Sequence, residues 1–211
     1  MTGPAPPQGD IVVLAGTNGG GKSSVAGAAL ERAGGKFYNP DRATLAYLER
    51  GIPLPEANSR AWHRGVRQLE RAIRDGTPYA FETTLGGRTI TRTLLDAAAQ
   101  GHSVRIWYVG LASPELHIER VRARVAAGGH DIPEEKIRTR WDSSRRNLIR
   151  LLPHVRELVL FDNSRDVDLS AGESPRPEKL LHTRGGGIEY VASPRTIPAW
   201  AKSIIQVALT C

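Results

Sequence analysis

The sequence predicts an α/β fold: a mostly parallel five-stranded sheet with helices on both faces. Three observations predict it. Short apolar runs rich in β-branched and aromatic residues alternate with longer stretches of helical spacing. The first such run, Ile11 to Ala15, leads directly into a glycine-rich loop. Glycines mark the ends of the helical stretches, as at Gly51, Gly76, Gly101 and Gly128-Gly129, where a left-handed residue closes a helix at little cost. Strands that alternate with helices imply a parallel sheet covered on both sides. Ligands of such sheets gather beyond the carboxyl ends of the strands.

Each element follows in order. Ile11 to Ala15 reads as a buried strand. Lys22 to Arg32 reads as a helix with Val25, Ala28, Ala29 and Leu30 inward, stopped by Gly34-Gly35. Phe37-Tyr38 reads as a brief second strand and Asn39-Pro40-Asp41 as a turn. Helices are expected over Arg42 to Arg50 and Glu56 to Arg74. Tyr79 to Phe81 forms a strand that ends in Glu82, Thr83 and Thr84. A helix over Ile90 to Gln100 precedes a strand over Val104 to Val109. Ser113-Pro114 starts the next helix, because serine caps and proline suits a first turn. Pro133 opens another that reaches Arg150, and Leu158 to Phe161 is a further strand. Asp166 to Lys179 is expected as a loop and Gly185 to Val191 as a hairpin or edge strand. Ile197 to Leu209 is expected as a helix burying Trp200, Ile204, Ile205 and Ala208.

The 211 residues suit one domain, expected over 11–211 after a disordered lead-in of 1–10. Met1 to Asp10 carries Pro4, Pro6 and Pro7 and lacks the charged and apolar regions of a signal peptide. No apolar run approaches the roughly 20 residues of a membrane span. A single cysteine, Cys211, allows no intrachain disulfide and favours a reducing, cytoplasmic setting. The net charge is +7, and only five of the 29 basic residues are lysines. That excess of arginine suits either attraction to phosphates or simple codon bias. No basic tract is interleaved with aromatics, so nucleic acid is not an expected partner. The histidines and the cysteine show no zinc spacing, and no Ser-His-Asp arrangement can be argued.

Gly16-Thr17-Asn18-Gly19-Gly20-Gly21-Lys22-Ser23 satisfies G-x-x-x-x-G-K-[ST] between a strand and a helix. This is the P-loop, so the α/β fold is expected to be that of the P-loop NTPases. Its glycines let successive N–H groups converge on one phosphate chain, with Ser24 on the following helical turn. Lys22 is expected at the β- and γ-phosphates and the Ser23 hydroxyl on Mg²⁺. Val104 to Leu111 carries no acid of the Walker-B kind, which argues against a motor ATPase. No N-K-x-D occurs, which favours ATP over GTP.

Three later segments are Tyr38-Asn39-Pro40-Asp41, Phe81-Glu82-Thr83-Thr84-Leu85 and Gly128-Gly129-His130-Asp131-Ile132-Pro133-Glu134-Glu135-Lys136-Ile137-Arg138. With the P-loop, their order resembles the zeta-toxin-like kinases over about residues 11–163. The resemblance implies an ATP- and Mg²⁺-dependent kinase acting on a hydroxyl of a nucleotide-sugar, UDP-N-acetylglucosamine in the characterised members. It also implies a small antitoxin as partner. By the same resemblance Asp41 is the catalytic aspartate, Glu82 a substrate- or metal-linked acid and Arg120 a phosphate-contacting arginine. The second lid arginine falls to Arg138, with Arg140 in reserve.

The residues carry part of this independently. A carboxylate at Asp41 can orient a hydroxyl toward a terminal phosphate, although an Asp there also suits a helix cap. Glu82, Thr83 and Thr84 at a strand end can hold an acceptor's hydroxyls. Arg120 and Arg124 share a helix face, and an arginine near the γ-phosphate neutralises its charge. Other readings stay open at this level: another small-molecule kinase of the antibiotic-modifying kind, a nucleotide-binding regulator, or a nucleic-acid end kinase.

Overall fold

A computed structural model of the chain describes residues 8–27, 35–165 and 177–210. Residues 1–7 of the expected lead-in (1–10), the end of the first helix (28–34), most of the expected loop from Asp166 (166–176) and Cys211 lie outside the described residues, while Asp10 already opens the first strand. The sheet has six strands in the order β2-β1-β3-β4-β5-β6. They are β1 (Asp10–Ala15), β2 (Tyr79–Thr83), β3 (Ser103–Gly110), β4 (Glu157–Asp162), β5 (Glu178–Arg184) and β6 (Gly187–Val191). The first four run parallel, and β5 and β6 add an antiparallel hairpin beside β4.

The expected count of five strands is therefore corrected to six, for two reasons. Phe37-Tyr38 does not become a strand: Tyr38 makes one parallel bridge to Phe81. Pro40 follows with no N–H to continue a ladder, and Asn39 caps a helix instead. At the other side the tail contributes two strands, turning at Gly185 and Gly186, both at positive φ.

The helices are α1 (Pro40–Leu48), α2 (Leu54–Asp75), α3 (Arg88–Ala99), α4 (Pro114–Ala126), α5 (Glu134–Leu151) and α6 (Ala199–Ala208). After β1 the chain enters a π-helical turn, Ser23–Gly27. Asn39-Pro40-Asp41, expected as a turn before a helix, is the first turn of α1 itself. The Ser113 side chain accepts the Leu116 N–H, as the Ser-Pro start of α4 required. Among the described residues no helix is long and apolar enough to cross a membrane.

Strand alternation sorts the core. Ile11, Val13 and Ala15 of β1, Val104, Ile106 and Tyr108 of β3, and Leu158 and Leu160 of β4 face one side. There they meet Leu69 of α2, Leu94 of α3, Leu148 and Leu151 of α5, and Trp200 and Ile204 of α6. Val12, Leu14 and Val109 face the other side, against Val25, Phe37 and Trp107. Each fully buried aliphatic side chain contributes about 1.5–3 kcal/mol. The result is a rigid sheet whose carboxyl edge carries the glycine loop, Glu82 and the segments after β3 and β4.

Leu148 is fully buried where α5 crosses the sheet. Leu148→Ala is expected to lower stability by about 2–5 kcal/mol, read as a fall in the urea midpoint with an unchanged slope.

Candidate active site

The glycine loop takes its shape from close backbone packing. Gly16 sits at φ 136, and a Cβ there would lie 2.1 Å from the Val109 carbonyl oxygen. Gly21 sits at φ 84, where a Cβ would lie 2.5 Å from Asn163 Nδ2. No larger residue fits either place. Asn163, just past β4, donates from Nδ2 to the Gly20 carbonyl at 3.1 Å and pins the loop from below. His117 of α4 pins it from the side, with Nδ1 2.8 Å from the Asn18 carbonyl. That carbonyl can only accept, so Nδ1 carries the proton and the buried Nε2 has no hydrogen-bond partner among the described residues. Burial pulls the His117 pKa down to about 4, so the ring is neutral at pH 7.

At the end of the loop four side chains form one junction. Ser23 Oγ donates to Glu82 Oε2 at 2.6 Å. Lys22 Nζ lies 3.5 Å from Glu82 Oε1 and donates to the Thr17 carbonyl at 3.2 Å. Asn39 Nδ2 donates to both Ser23 Oγ (3.2 Å) and Glu82 Oε2 (3.0 Å). Lys22, Asn39 and Glu82 are 6%, 7% and 8% exposed. The sheet register delivers this meeting, because Glu82 of β2 pairs with Leu14 of β1 two residues before Gly16. Gly16 to Gly21 thus lie beside Lys22 and Ser23, while Ser24 is exposed on the π-helical turn.

A second cluster gathers around Asp41, in the first turn of α1. Arg124 of α4 approaches Asp41 Oδ2 at 3.4 Å, and His130 Nε2 lies 3.7 Å from Oδ1. Arg124 also donates to the His130 carbonyl at 3.2 Å, which ties the segment after Gly128-Gly129 to the same place. Arg140 of α5 donates to Asn18 Oδ1 at 2.8 Å and so reaches the glycine loop from the opposite wall. Burial holds the Arg140 guanidinium below its ordinary range, and the Asp41 charge opposes that shift.

Two arginines singled out by sequence lie elsewhere. Arg138 turns outward to an exposed ion pair with Glu115 at 2.5 Å. Two residues along a helix rotate a side chain by about 200°, so Arg140 faces inward where Arg138 cannot. Arg120 donates to the Arg165 carbonyl at 3.2 Å, beyond β4, rather than toward Asp41. Thr83 and Thr84 accept the Leu85 and Gly86 N–H groups at 3.1 and 3.5 Å and so shape their own loop. Leu85 there holds φ 54 while buried, and Asn147 donates to its carbonyl at 2.8 Å.

Sequence reasoning missed the roles of Asn39, Arg124, His117 and Asn163. Arg124 carried a signal, the shared helix face with Arg120. Asn163 and His117 meet the loop across more than 90 residues of chain, and nothing local marks them.

The donor set fits magnesium with a triphosphate. Mg²⁺ keeps several waters and takes one or two protein ligands beside phosphate oxygens. A hydroxyl at Ser23 with a carboxylate at Glu82 suits that demand. Among the described residues no group of three or more His, Cys, Asp or Glu side chains could hold a metal by itself. The glycine positions that exclude a Cβ leave backbone free to face phosphate oxygens.

Residues 11–148 match the family model described as AAA domain, and the chain belongs to that family. It is 26% identical over 141 residues to an uncharacterized protein of Haemophilus influenzae, covering 64% of this chain and 94% of that protein. Among solved structures it resembles the AvrRxo1-ORF1:-ORF2 complex with ATP, with TM-score 0.64, 17% identity and 96% of this chain covered. The chain spans 64% of the length of that matched chain. It also resembles a structure of the PezAT chromosomal toxin-antitoxin system of Streptococcus pneumoniae, with TM-score 0.53 and 15% identity, covering 96% and 85% of the two chains. At these identities the structural likeness shows a shared P-loop fold.

His117 sets a pH dependence. Its pKa is lower in the folded chain than the ordinary 6.5. As pH falls below about 6.5 the unfolded chain takes up a proton that the folded one refuses, so stability drops until pH about 4. The full loss is on the order of 3 kcal/mol. His117→Asn, whose Nδ2 can replace Nδ1 as donor, is expected to flatten this part of the curve in urea melts between pH 7 and 4.

Proposed function

We propose that the chain is an ATP- and Mg²⁺-dependent phosphotransferase that phosphorylates a hydroxyl of a small molecule, with a nucleotide-sugar such as UDP-N-acetylglucosamine as the leading acceptor. One observation carries this reading. The Lys22–Ser23–Glu82 junction of the P-loop stands beside a carboxylate, Asp41, framed by Arg124 and by an Arg140 that touches the loop.

In the proposed reaction the acceptor oxygen bonds to the terminal phosphorus of ATP, the bond to the bridging oxygen breaks, and ADP leaves. The hydroxyl proton passes toward Asp41. A free Asp has a pKa of roughly 3.9, so its main work is to orient the hydroxyl before a loose transition state. The Ser23 hydroxyl would hold Mg²⁺, which would supply charge neutralisation to the phosphate oxygens. Lys22 holds the β- and γ-oxygens, and Glu82 holds Ser23 and orders water next to it.

Arg124 and Arg140 neutralise charge on the transferring group from two sides. Arg120, one turn before Arg124, serves the nucleotide side, and Arg138 drops out because Glu115 holds it. Thr83 and Thr84 keep the acceptor loop in shape and retain hydroxyl protons to offer a polyol. Backbone from Gly16 to Gly21 receives the phosphates, with Thr17, Asn18 and Ser24 around them.

The test is mass spectrometry of a metabolite mixture incubated with protein, ATP and Mg²⁺. A new phosphorylated species is expected, UDP-N-acetylglucosamine phosphate first. Asp41→Asn is expected to slow its formation by about 10²-fold or more while ATP affinity stays within about twofold. Lys22→Ala is expected to lose both. ATP binding with no transfer to any acceptor would overturn the reading in favour of a nucleotide-binding regulator.

The likeness to the PezAT toxin-antitoxin structure supports a wider role. Overproduction then inhibits growth by depleting a nucleotide-sugar, and a small antitoxin protein covers the ATP site. In an expression test the wild type is expected to slow growth and Asp41→Asn to spare it. Equal inhibition by both would remove phosphotransfer as the cause.

A further inference from the structure

We infer that Asn39 is a positioning residue that couples the metal side of the site to the acceptor side through its single amide. The inference rests on the phosphotransferase reading and deepens it.

Asn39 is buried at the junction, 7% exposed. Its Nδ2 has two protons and two acceptors, Ser23 Oγ at 3.2 Å and Glu82 Oε2 at 3.0 Å. Its Oδ1 accepts the Arg42 N–H at 3.0 Å and caps α1. The orientation is forced. Turned over, the amide would set its oxygen against a carboxylate and its NH₂ against a backbone N–H, two repulsions in place of three hydrogen bonds.

The backbone around Asn39 is equally fixed. Tyr38 N–H donates to the Ala80 carbonyl and the Tyr38 carbonyl accepts the Glu82 N–H, each at 2.8 Å. Asn39 and Glu82 therefore leave the same pair of backbone bonds side by side.

The consequences run both ways. Without the NH₂ group, Glu82 Oε2 and Ser23 Oγ lose the donor that fixes their spacing, and the Ser23 hydroxyl that would hold magnesium is free to turn. Without the Oδ1 cap, the first turn of α1 loosens and Asp41, two residues on, shifts with it. One side chain thus sets both the place of the metal and the place of the carboxylate that faces the acceptor.

Two substitutions separate these duties. Asn39→Ser keeps an N-cap oxygen and removes the NH₂. Asn39→Asp keeps the cap in the same shape and places a second carboxylate against Glu82. The measurement is calorimetric ATP affinity in EDTA and in excess Mg²⁺, beside a thermal melt of each protein.

In the wild type Mg²⁺ is expected to tighten ATP binding. In Asn39→Ser that gain is expected to shrink by about tenfold, the scale of one hydrogen bond to a charged group. Affinity in EDTA is expected to stay within about twofold of wild type, and the melting temperature to fall modestly, with the variant still melting cooperatively, because one buried donor to a carboxylate is lost. Asn39→Asp is expected to change the Mg²⁺ gain while still folding. Retention of the full Mg²⁺ gain in both variants would overturn the role of Asn39 and leave the phosphotransferase reading intact. A wild type whose ATP affinity ignores Mg²⁺ would overturn both together.

Discussion

The structure of the site depends on one buried carboxylate. Glu82 ends an edge strand inside the protein and is 8% exposed. A charge there is costly unless it is paired and hydrogen-bonded. Ser23, Lys22 and Asn39 all serve it. Lys22 and Ser23 come from the end of the glycine loop and Asn39 from the cap of α1, so Glu82 draws the glycine loop, the start of α1 and the end of β2 into one junction. Removing it would leave Lys22 near a carbonyl with no counter-charge, and the Asn39 amide N–H₂ with Ser23 alone.

The end of β3 carries no carboxylate. The acid that meets Lys22 and Ser23 stands instead on β2, on the other flank of β1. The end of β3 is left to backbone contact, where the Val109 carbonyl packs against Gly16 so closely that only glycine fits. Asp41 stands outside the junction but is linked to it through Asn39, and Arg124 and His130 tie it to α4 and to the segment after Gly128-Gly129.

Local pattern revealed the elements well because their causes are local. The apolar runs of β1 and β3, the Ser113-Pro114 start of α4 and the glycine stops needed no tertiary information. The glycine loop was legible for the same reason: its spacing is dictated by the backbone it must adopt. What stayed hidden depends on phase and long range. Arg138 and Arg140 differ by about 200° around one helix, and only packing of α5 decides which faces the loop. Phe37-Tyr38 has strand composition, yet Pro40 and the Asn39 cap end its pairing after one bridge. Asn163 holds the loop from a position 143 residues away in the chain. Asn39 looked like a turn residue because asparagine before proline is one; that its amide also serves Glu82 could be seen only once the segments met.

The central claim is that a triphosphate in the glycine loop presents its terminal phosphorus to Asp41. A crystal structure with Mg²⁺ and a non-hydrolysable ATP analogue tests it most directly. The account predicts a γ-phosphate touching Lys22 and Arg124, magnesium on Ser23, and Asp41 across a gap wide enough for a sugar hydroxyl. A γ-phosphate lying away from Asp41, with α1 and α4 unmoved, would contradict it.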